Sequence, residues 1–277
     1  MSEPNRVTDQ RALAHHRDRA RRQGAELFLQ ELCADDLEER LKEVNRSFHA
    51  PAIVTPWPEV WLDRLPEATI VPDADLLDLG EAAHDLVIHA ASLHWADDPV
   101  GQMVQCRRAL KPDGLFLAAL FGGQTLAELR ACLATAEARL TGGLSPRVAP
   151  MGEIRDLGGL LQRAGFALPV ADSIVQTATY MSPLNLMKDL RAMGETNALA
   201  GRRTEFMRRA ILLEAAHLYQ EEYGLPDGRI PATFEIVTLT GWAPSANQPK
   251  PLRPGSATQR LADVLGSTEV SLDRSDD

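Results

Sequence analysis

The hydrophobic and polar positions along the chain predict alternating strands and helices. Short apolar runs at 51–54, 68–73 and 84–95 are typical of buried strands. Apolar positions at helical spacing follow at 98–110, and the run "LFLAALF" at 115–121 predicts a strand buried on both faces. Because strands that alternate with helices form parallel sheets, this pattern predicts a doubly wound α/β fold. We expect helices on both faces of the sheet and ligands at the carboxyl ends of its strands.

The second half of the chain predicts the elements that complete the sheet. "KPDG" at 111–114 is predicted to form a turn between the preceding helix and its strand. Thr125 and Glu128 have the spacing of a capping box, which predicts the start of the next helix. Two further strands are predicted late in the chain, at 170–180 and 232–243.

Changes in composition along the chain divide it into three predicted segments. Residues 1–47 are predicted to form a helical N-terminal extension, and residues 48–246 to form the α/β domain. Residues 247–277 are rich in Pro, Ser, Gly and Asp, so we expect a partly disordered tail.

Charge and apolar content argue against two classes of function. The net charge is −10 over 277 residues, whereas nucleic-acid binding needs a basic face. A small-molecule or protein partner fits this charge better. No apolar run reaches the roughly 18 residues that span a bilayer, so no integral membrane segment is predicted.

The cysteines and the N-terminus bear on where the protein works. The three cysteines lack the CxxC spacing of a zinc site or a disulfide framework. No apolar run of the secretory type follows the N-terminal arginines. We therefore expect a reducing compartment. No histidine and carboxylate spacing indicates an iron site, and no metal is predicted.

Several motifs from residue 84 onward carry a family resemblance. "DLVIHAASLHW", "FGGQTLAELR", "LRAMGETN" and "GWAPSANQPKPLRPGSAT" occur in this order. Together they resemble the methyltransferase-like assembly factors of respiratory complex I and their bacterial relatives. These in turn are similar to class I S-adenosylmethionine-dependent methyltransferases, including the malonyl-carrier-protein methyltransferase of the biotin pathway.

The resemblance implies a fold, a partner and a reaction. The fold is a seven-stranded, Rossmann-like methyltransferase sheet that ends in an antiparallel hairpin. The implied partner is a protein, a subunit of the respiratory NADH:quinone oxidoreductase, and the implied location is the cytoplasm of a bacterium or the periphery of its inner membrane. The activity attributed to the family is hydroxylation of an arginine rather than methylation, so the reaction stays open between these two.

Site residues follow from the resemblance and from the strand ends. S-adenosylmethionine, if bound, is expected to contact Val54, Thr55, Trp57, Asp73, Ala90, Ser92 and His94. The substrate side is expected to include Trp95, Phe121, Gly122, Gly123, Glu195, Asn197 and Trp242. Asp73 matches either the adenine-facing or the ribose-facing position of the family, but it cannot fill both. The catalytic residues stay unassigned.

The cofactor half departs from the family pattern. No glycine occurs from residue 25 to residue 79, where a glycine-rich loop would bring the backbone to the cofactor. Pro56 and Pro58 offer no N–H groups there. The interval up to residue 84 is also too short for a complete strand-and-helix unit. We therefore expect a sheet shortened in its N-terminal half, with Trp57 or Trp61 filling the adenine position.

Three functions stay open at this point. The first is an assembly factor that modifies or chaperones a respiratory subunit despite a degenerate cofactor loop. The second is a catalytically inactive relative that acts only as a binding and assembly protein. The third is a small-molecule carboxyl methyltransferase.

Overall fold

Six strands build a single sheet in the computed structural model, which describes residues 6–249 and residue 266. The strands are β1 (Pro51–Val54), β2 (Thr69–Val71), β3 (His84–Ala90), β4 (Leu110–Phe121), β5 (Ala167–Tyr180) and β6 (Ile230–Trp242). Their order across the sheet is β2-β1-β3-β4-β6-β5. The first four strands are parallel, and β6 runs antiparallel to both β4 and β5. The predicted parallel sheet with a late antiparallel hairpin is confirmed.

Helices cover both faces of this sheet, as the sequence predicts. They are α1 (Gln10–Gln23), α2 (Phe28–Glu43), α3 (Pro99–Ala109), α4 (Ala127–Thr141), α5 (Ile154–Arg163), α6 (Pro183–Ala192) and α7 (Arg209–Tyr223). Buried side chains of α2, α4, α6 and α7 share one apolar core, and those of α3 and α5 share the other. All of these elements belong to the first of two compact units, residues 1–244. The predicted tail at 247–277 lies almost entirely outside the described residues.

The N-terminal half of the sheet is shortened. The segment between β1 and β2 holds only a 3-10 turn, Pro58–Val60, and the segment between β2 and β3 holds no helix. Parallel strands are usually joined through a crossover helix. Here α2, which comes before β1 in the chain, supplies the cover: its Leu29 and Leu37 are buried in the same core as Trp57.

The prediction that a turn at 111–114 separates α3 from the next strand is wrong, because β4 already begins at Leu110. His84 pairs with Leu110, and the next pairs join Leu86 to Leu115. Four residues of β4 therefore bulge out opposite a single residue of β3. Asp113, at φ 62°, makes the positive-φ corner of this bulge.

The predicted capping box is also wrong. The helix α4 begins at Ala127, and no side chain caps its N-terminus. The Thr125 hydroxyl instead donates to the Glu235 carbonyl at 3.1 Å, and the Glu128 carboxylate accepts a hydrogen bond from the Thr233 hydroxyl. Strand β6 offers these side chains stronger partners than the helix end does, so they fasten α4 to the sheet.

Candidate functional site

The residues predicted to bind a cofactor lie together at one edge of the sheet. Val54 ends β1, Ala90 ends β3, and Thr55 and Ser92 follow these strands directly. Their exposed fractions are all 4% or less. The side chain of His94 is 2% exposed. The structure thus brings these residues together, as the strand order requires, but it buries them against other protein atoms.

Trp57 fills the space beyond the end of β1. Its side chain is fully buried, and its backbone N–H donates to the Thr55 hydroxyl at 3.1 Å. The Arg21 guanidinium of α1 stacks over the indole, 4.8 Å from the ring centroid, and donates to the Pro56 carbonyl. Trp61 is also buried nearby in the core. An indole therefore occupies the place where a methyltransferase backbone would approach its cofactor.

Asp73, on the loop after β2, is held by the helix α1. Nη1 of Arg17 donates to both carboxylate oxygens of Asp73, at 2.9 and 3.2 Å. The two side chains are only 8% and 13% exposed. The carboxylate that the family resemblance assigns to the cofactor thus has an internal partner.

These residues do not fit S-adenosylmethionine. A cofactor cradle at this edge requires backbone N–H groups and a free acidic side chain. The loop offers Pro56 and Pro58, which lack N–H groups, and Asp73 is paired with Arg17. A cleft of about 470 Å³ is open there beside Thr55, Pro56 and Asp73, so the chemistry of the residues, and not a lack of space, excludes the cofactor.

An apolar pocket of about 440 Å³ opens beside this edge. Its size lies within the usual range for ligand pockets. Its walls come from α2, α4, α6 and the ends of β4 and β6, together with the loops near 147–151 and 195–207. The apolar lining includes Leu29, Trp95, Phe121, Leu126, Leu129, Leu133, Met151, Met187, Leu190 and Phe234.

Glu195 is the buried acidic group of this pocket. Its Oε2 accepts a 2.5 Å hydrogen bond from Nε1 of Trp95 and lies 3.5 Å from Nε2 of His94. Its Oε1 is buried and has no hydrogen-bond partner among the described residues. Burial raises the pKa of Glu195, but His94, Arg17 and Trp95 outweigh it and leave the pKa below its usual value. The carboxylate is therefore ionised at neutral pH.

Arginines surround the mouth of the pocket. Arg147 pairs with Glu137 at 2.6 Å, and Arg202 pairs with Asp9 of α1 at 2.9 Å. Arg203 is 59% exposed and lies 3.7 Å from Glu137. Burial raises the pKa of Glu137, yet its bonds to Arg147 and the neighbouring serine lower it to about 2. The rim is thus basic, and most of its charges are paired within the protein.

The residues predicted on the substrate side divide into two groups. Trp95, Phe121, Glu195 and Asn197 all line the pocket. Trp242 does not: it pairs with Leu115 at the far end of β4, whereas Phe121 pairs with residue 236 near the pocket. The structure therefore does not bring Trp242 to this site.

The two glycines after β4 stand beside the pocket without lining it. A Cβ on Gly122 would lie 2.6 Å from the Glu235 carboxylate, and one on Gly123 would lie 2.5 Å from Glu153. Close packing explains both positions. Sequence reasoning missed Arg147, Arg202 and Met187, because an apolar helix stripe and scattered arginines look the same in a core or at a pocket.

The described part of the chain has neither a metal-binding cluster nor a membrane-spanning helix. No group of three or more His, Cys, Asp or Glu side chains comes close enough to hold a metal ion. None of its helices has the length and apolar content required to cross a bilayer.

Comparison with known proteins shows what this chain is similar to. A methyltransferase domain family matches residues 25–118. The mitochondrial arginine hydroxylase NDUFAF5 of Danio rerio is 40% identical over 200 residues, which cover 72% of this chain and 62% of that protein. The chain is a homologue of this protein. The family resemblance predicted from the motifs is thereby confirmed.

A second group of relatives is more distant. The malonyl-[acyl-carrier protein] O-methyltransferase of Xylella fastidiosa is 35% identical over 181 residues, 65% of this chain and 59% of that protein. This chain thus spans about three fifths of the length of these curated relatives. A putative methyltransferase structure from Bacillus halodurans aligns with 75% of this chain and 98% of its own, at 12% identity and a TM-score of 0.46.

Proposed function

We propose that this protein acts in respiratory complex assembly by binding an arginine-bearing segment of an NADH:quinone oxidoreductase subunit. The observation that carries the proposal is Glu195, which lines the apolar pocket and whose Oε1 is buried without a hydrogen-bond partner among the described residues. A guanidinium group is the side chain best suited to a carboxylate, since its planar fork donates several hydrogen bonds. The name of the NDUFAF5 relatives, arginine hydroxylase, supports the same choice of side chain.

The walls of the pocket suit the rest of an arginine side chain. Leu129, Leu133 and Met187 line the space next to the charged end. An arginine covers such surfaces with its methylene stem while its head stays hydrogen-bonded. A lysine would place a single point charge in the pocket and lose the fork geometry.

The basic rim adds a preference for the residues beside the arginine. Arg203 is largely exposed at the mouth, and its distance of 3.7 Å from Glu137 makes that pair a loose one. An acidic residue next to the bound arginine would therefore meet a positive charge. We infer that the recognised segment carries its arginine within an acidic stretch.

The cofactor edge favours a second candidate, assembly by binding without methyl transfer. The observation in its favour is the Arg17–Asp73 pair, which occupies the carboxylate that was predicted to bind the cofactor. Both candidates use the same pocket and the same kind of partner. The three buried free cysteines support a reducing compartment, such as a bacterial cytoplasm.

Binding of a minimal peptide tests the proposal. The probes are acetyl-Gly-Arg-Gly-amide and the same peptide with citrulline, which keeps the shape of arginine without its charge. We expect NMR shifts at the pocket residues with the arginine peptide, and at least tenfold weaker binding of the citrulline peptide. Glu195→Gln should remove this difference, because an amide offers no charge to the guanidinium.

Co-purification tests the partner. Tagged wild-type protein is expected to recover subunits of NADH:quinone oxidoreductase from cells, and the Glu195→Gln protein to recover fewer. Glu39→Gln, a charge change at an exposed residue of α2 outside the pocket lining, serves as the matched control. Equal binding of both peptides, or equal recovery by the Glu195→Gln protein, would contradict the proposal.

A further inference from the structure

The helix α1 contacts both the cofactor edge and the pocket. At the edge, Arg17 holds Asp73 and Arg21 covers the Trp57 indole. On the pocket side, Nδ1 of His16 lies 3.2 Å from the carbonyl of Thr196, and Arg19 donates to the hydroxyl of the same residue. The helix α1 therefore contacts both Asp73 and Trp57 at the cofactor edge and the loop that carries Glu195.

Gly194, immediately before Glu195 in the chain, packs against Arg17 and Trp57. It ends α6 at φ 77°, and a Cβ there would lie 3.1 Å from Cα of Arg17 and 3.3 Å from Cζ2 of Trp57. Only a glycine allows this approach without moving its neighbours. The backbone that presents Glu195 is thus in direct contact with the arginine and the indole.

Buried polar atoms at this junction lack partners. Nε and Nη2 of Arg17 and Nε1 of Trp57 are buried without hydrogen-bond acceptors among the described residues. Arg17 also contributes a positive charge that stabilises the ionised form of Glu195. Since an unpaired buried donor costs free energy, a role other than simple packing explains why these groups are present.

We propose that Arg17 and Trp57 together replace a cofactor as the internal support that positions Glu195 in the pocket. Trp57 supplies the volume, and Arg17 supplies the positive charge. The pair is a positioning device: neither residue needs to touch the bound arginine. The idea rests on the proposed function only for what Glu195 binds, not for how Glu195 is held.

The titration of Glu195 tests this support without any ligand. Facing Glu195 are His94, from the turn after β3, and Arg17, from α1, with Asp73 behind Arg17. In protein labelled with ¹³C at its glutamate carboxyls, the signal of Glu195 is identified as the one that disappears in Glu195→Gln. We expect Arg17→Met to move the midpoint of that signal to higher pH, and Arg17→Lys to leave it near the wild-type value.

A control variant and a second variant keep the test decisive. Arg22→Met removes an exposed arginine of the same helix that bonds only to a backbone carbonyl, so it should leave the midpoint unchanged. If Arg17→Met does not fold, the double variant Arg17→Gln with Asp73→Asn neutralises both charges together. It should also raise the midpoint. The proposal would be overturned if Glu195 titrated at the wild-type midpoint in folded Arg17→Met or in the folded double variant.

Peptide binding separates this proposal from the function on which it rests. With acetyl-Gly-Arg-Gly-amide, Arg17→Met should weaken binding at neutral pH at least tenfold and raise the pH at which binding is half lost. If the peptide binds no variant while the midpoint still moves, the proposed function fails and the support of Glu195 stands. If the peptide binds equally well to wild type and Arg17→Met, and Glu195 titrates at the same pH in both, the proposed support by Arg17 fails while the proposed function stands.

Discussion

The indole Nε1 of Trp95 donates a 2.5 Å hydrogen bond to Oε2 of Glu195, which joins the turn after β3 to the loop after α6. Both side chains are largely buried, so this bond replaces the water that an exposed carboxylate would bind. The donor is neutral, whereas the acceptor is charged. The bond therefore belongs to the stronger class of protein hydrogen bonds.

Replacing Trp95 with Phe should destabilise the protein by about 1–3 kcal/mol at neutral pH, because it leaves a buried carboxylate oxygen without its donor. The loss should be smaller in acid, because the Trp95 bond helps to hold the pKa of Glu195 below its usual value and a protonated carboxyl depends less on that bond. Urea unfolding at both pH values measures this. The double variant with Glu195→Gln should recover part of the loss, and a loss that does not change with pH would contradict the argument.

Neither S-adenosylmethionine nor S-adenosylhomocysteine is expected to bind measurably, since Asp73 is already paired with Arg17 and the loop after β1 has two prolines in place of N–H donors. Titration calorimetry should give no heat of binding for a dissociation constant tighter than about 1 mM. Thermal unfolding should show no stabilisation by either ligand. Micromolar binding of either compound would contradict this account of the edge.

A substitution of Gly122 by Ala should cost about 1–3 kcal/mol of stability through overpacking. The new methyl group would meet the Glu235 carboxylate at 2.6 Å and Val237 at 2.8 Å. Gly159→Ala, in the helix α5, is the matched control, since nothing lies within 4 Å of its added Cβ. That control should leave stability unchanged or raise it slightly. Equal effects of the two substitutions would argue against close packing at Gly122.

The Glu137 cluster should make stability depend on acid pH. The pKa of Glu137 is about 2 in the folded protein and near 4.5 when unperturbed, because burial, which raises it, is outweighed by Arg147 and Ser145. A lowered folded pKa contributes stability that is complete above about pH 4.5 and is lost as the pH falls towards 2. The difference in unfolding free energy between wild type and Glu137→Gln should therefore shrink across this range. A difference that is constant from pH 6 to pH 2.5 would refute the assignment.

The elements of the fold follow closely from local sequence patterns. The apolar runs at 51–54 and 115–121 are buried strands, and Ser182 caps α6 by accepting a hydrogen bond from the backbone of Asn185. The capping box at Thr125 failed for a physical reason: its side chains found partners on β6, more than a hundred residues away in the chain. Local patterns predict local structure, and tertiary contacts override them.

The pocket and its support could be predicted only in part. Glu195, Asn197 and Trp95 were found through motifs, and all three line the pocket. The apolar stripe that contains Leu129 has the same spacing whether it faces a core or a cavity. The pairing of Arg17 with Asp73 joins residues that are 56 positions apart, and no local spacing encodes such a contact.

The short crossovers of the N-terminal half have a consequence for how the chain folds during synthesis. One face of β1, the face of Ile53, packs in the same core as α1 and α2, which precede it in the sequence. In most doubly wound sheets a strand leaves the ribosome before the crossover helix that shields it. Here the shielding helices are made first, so the buried face of β1 meets an existing partner as it emerges, and less apolar surface is open to aggregation during translation.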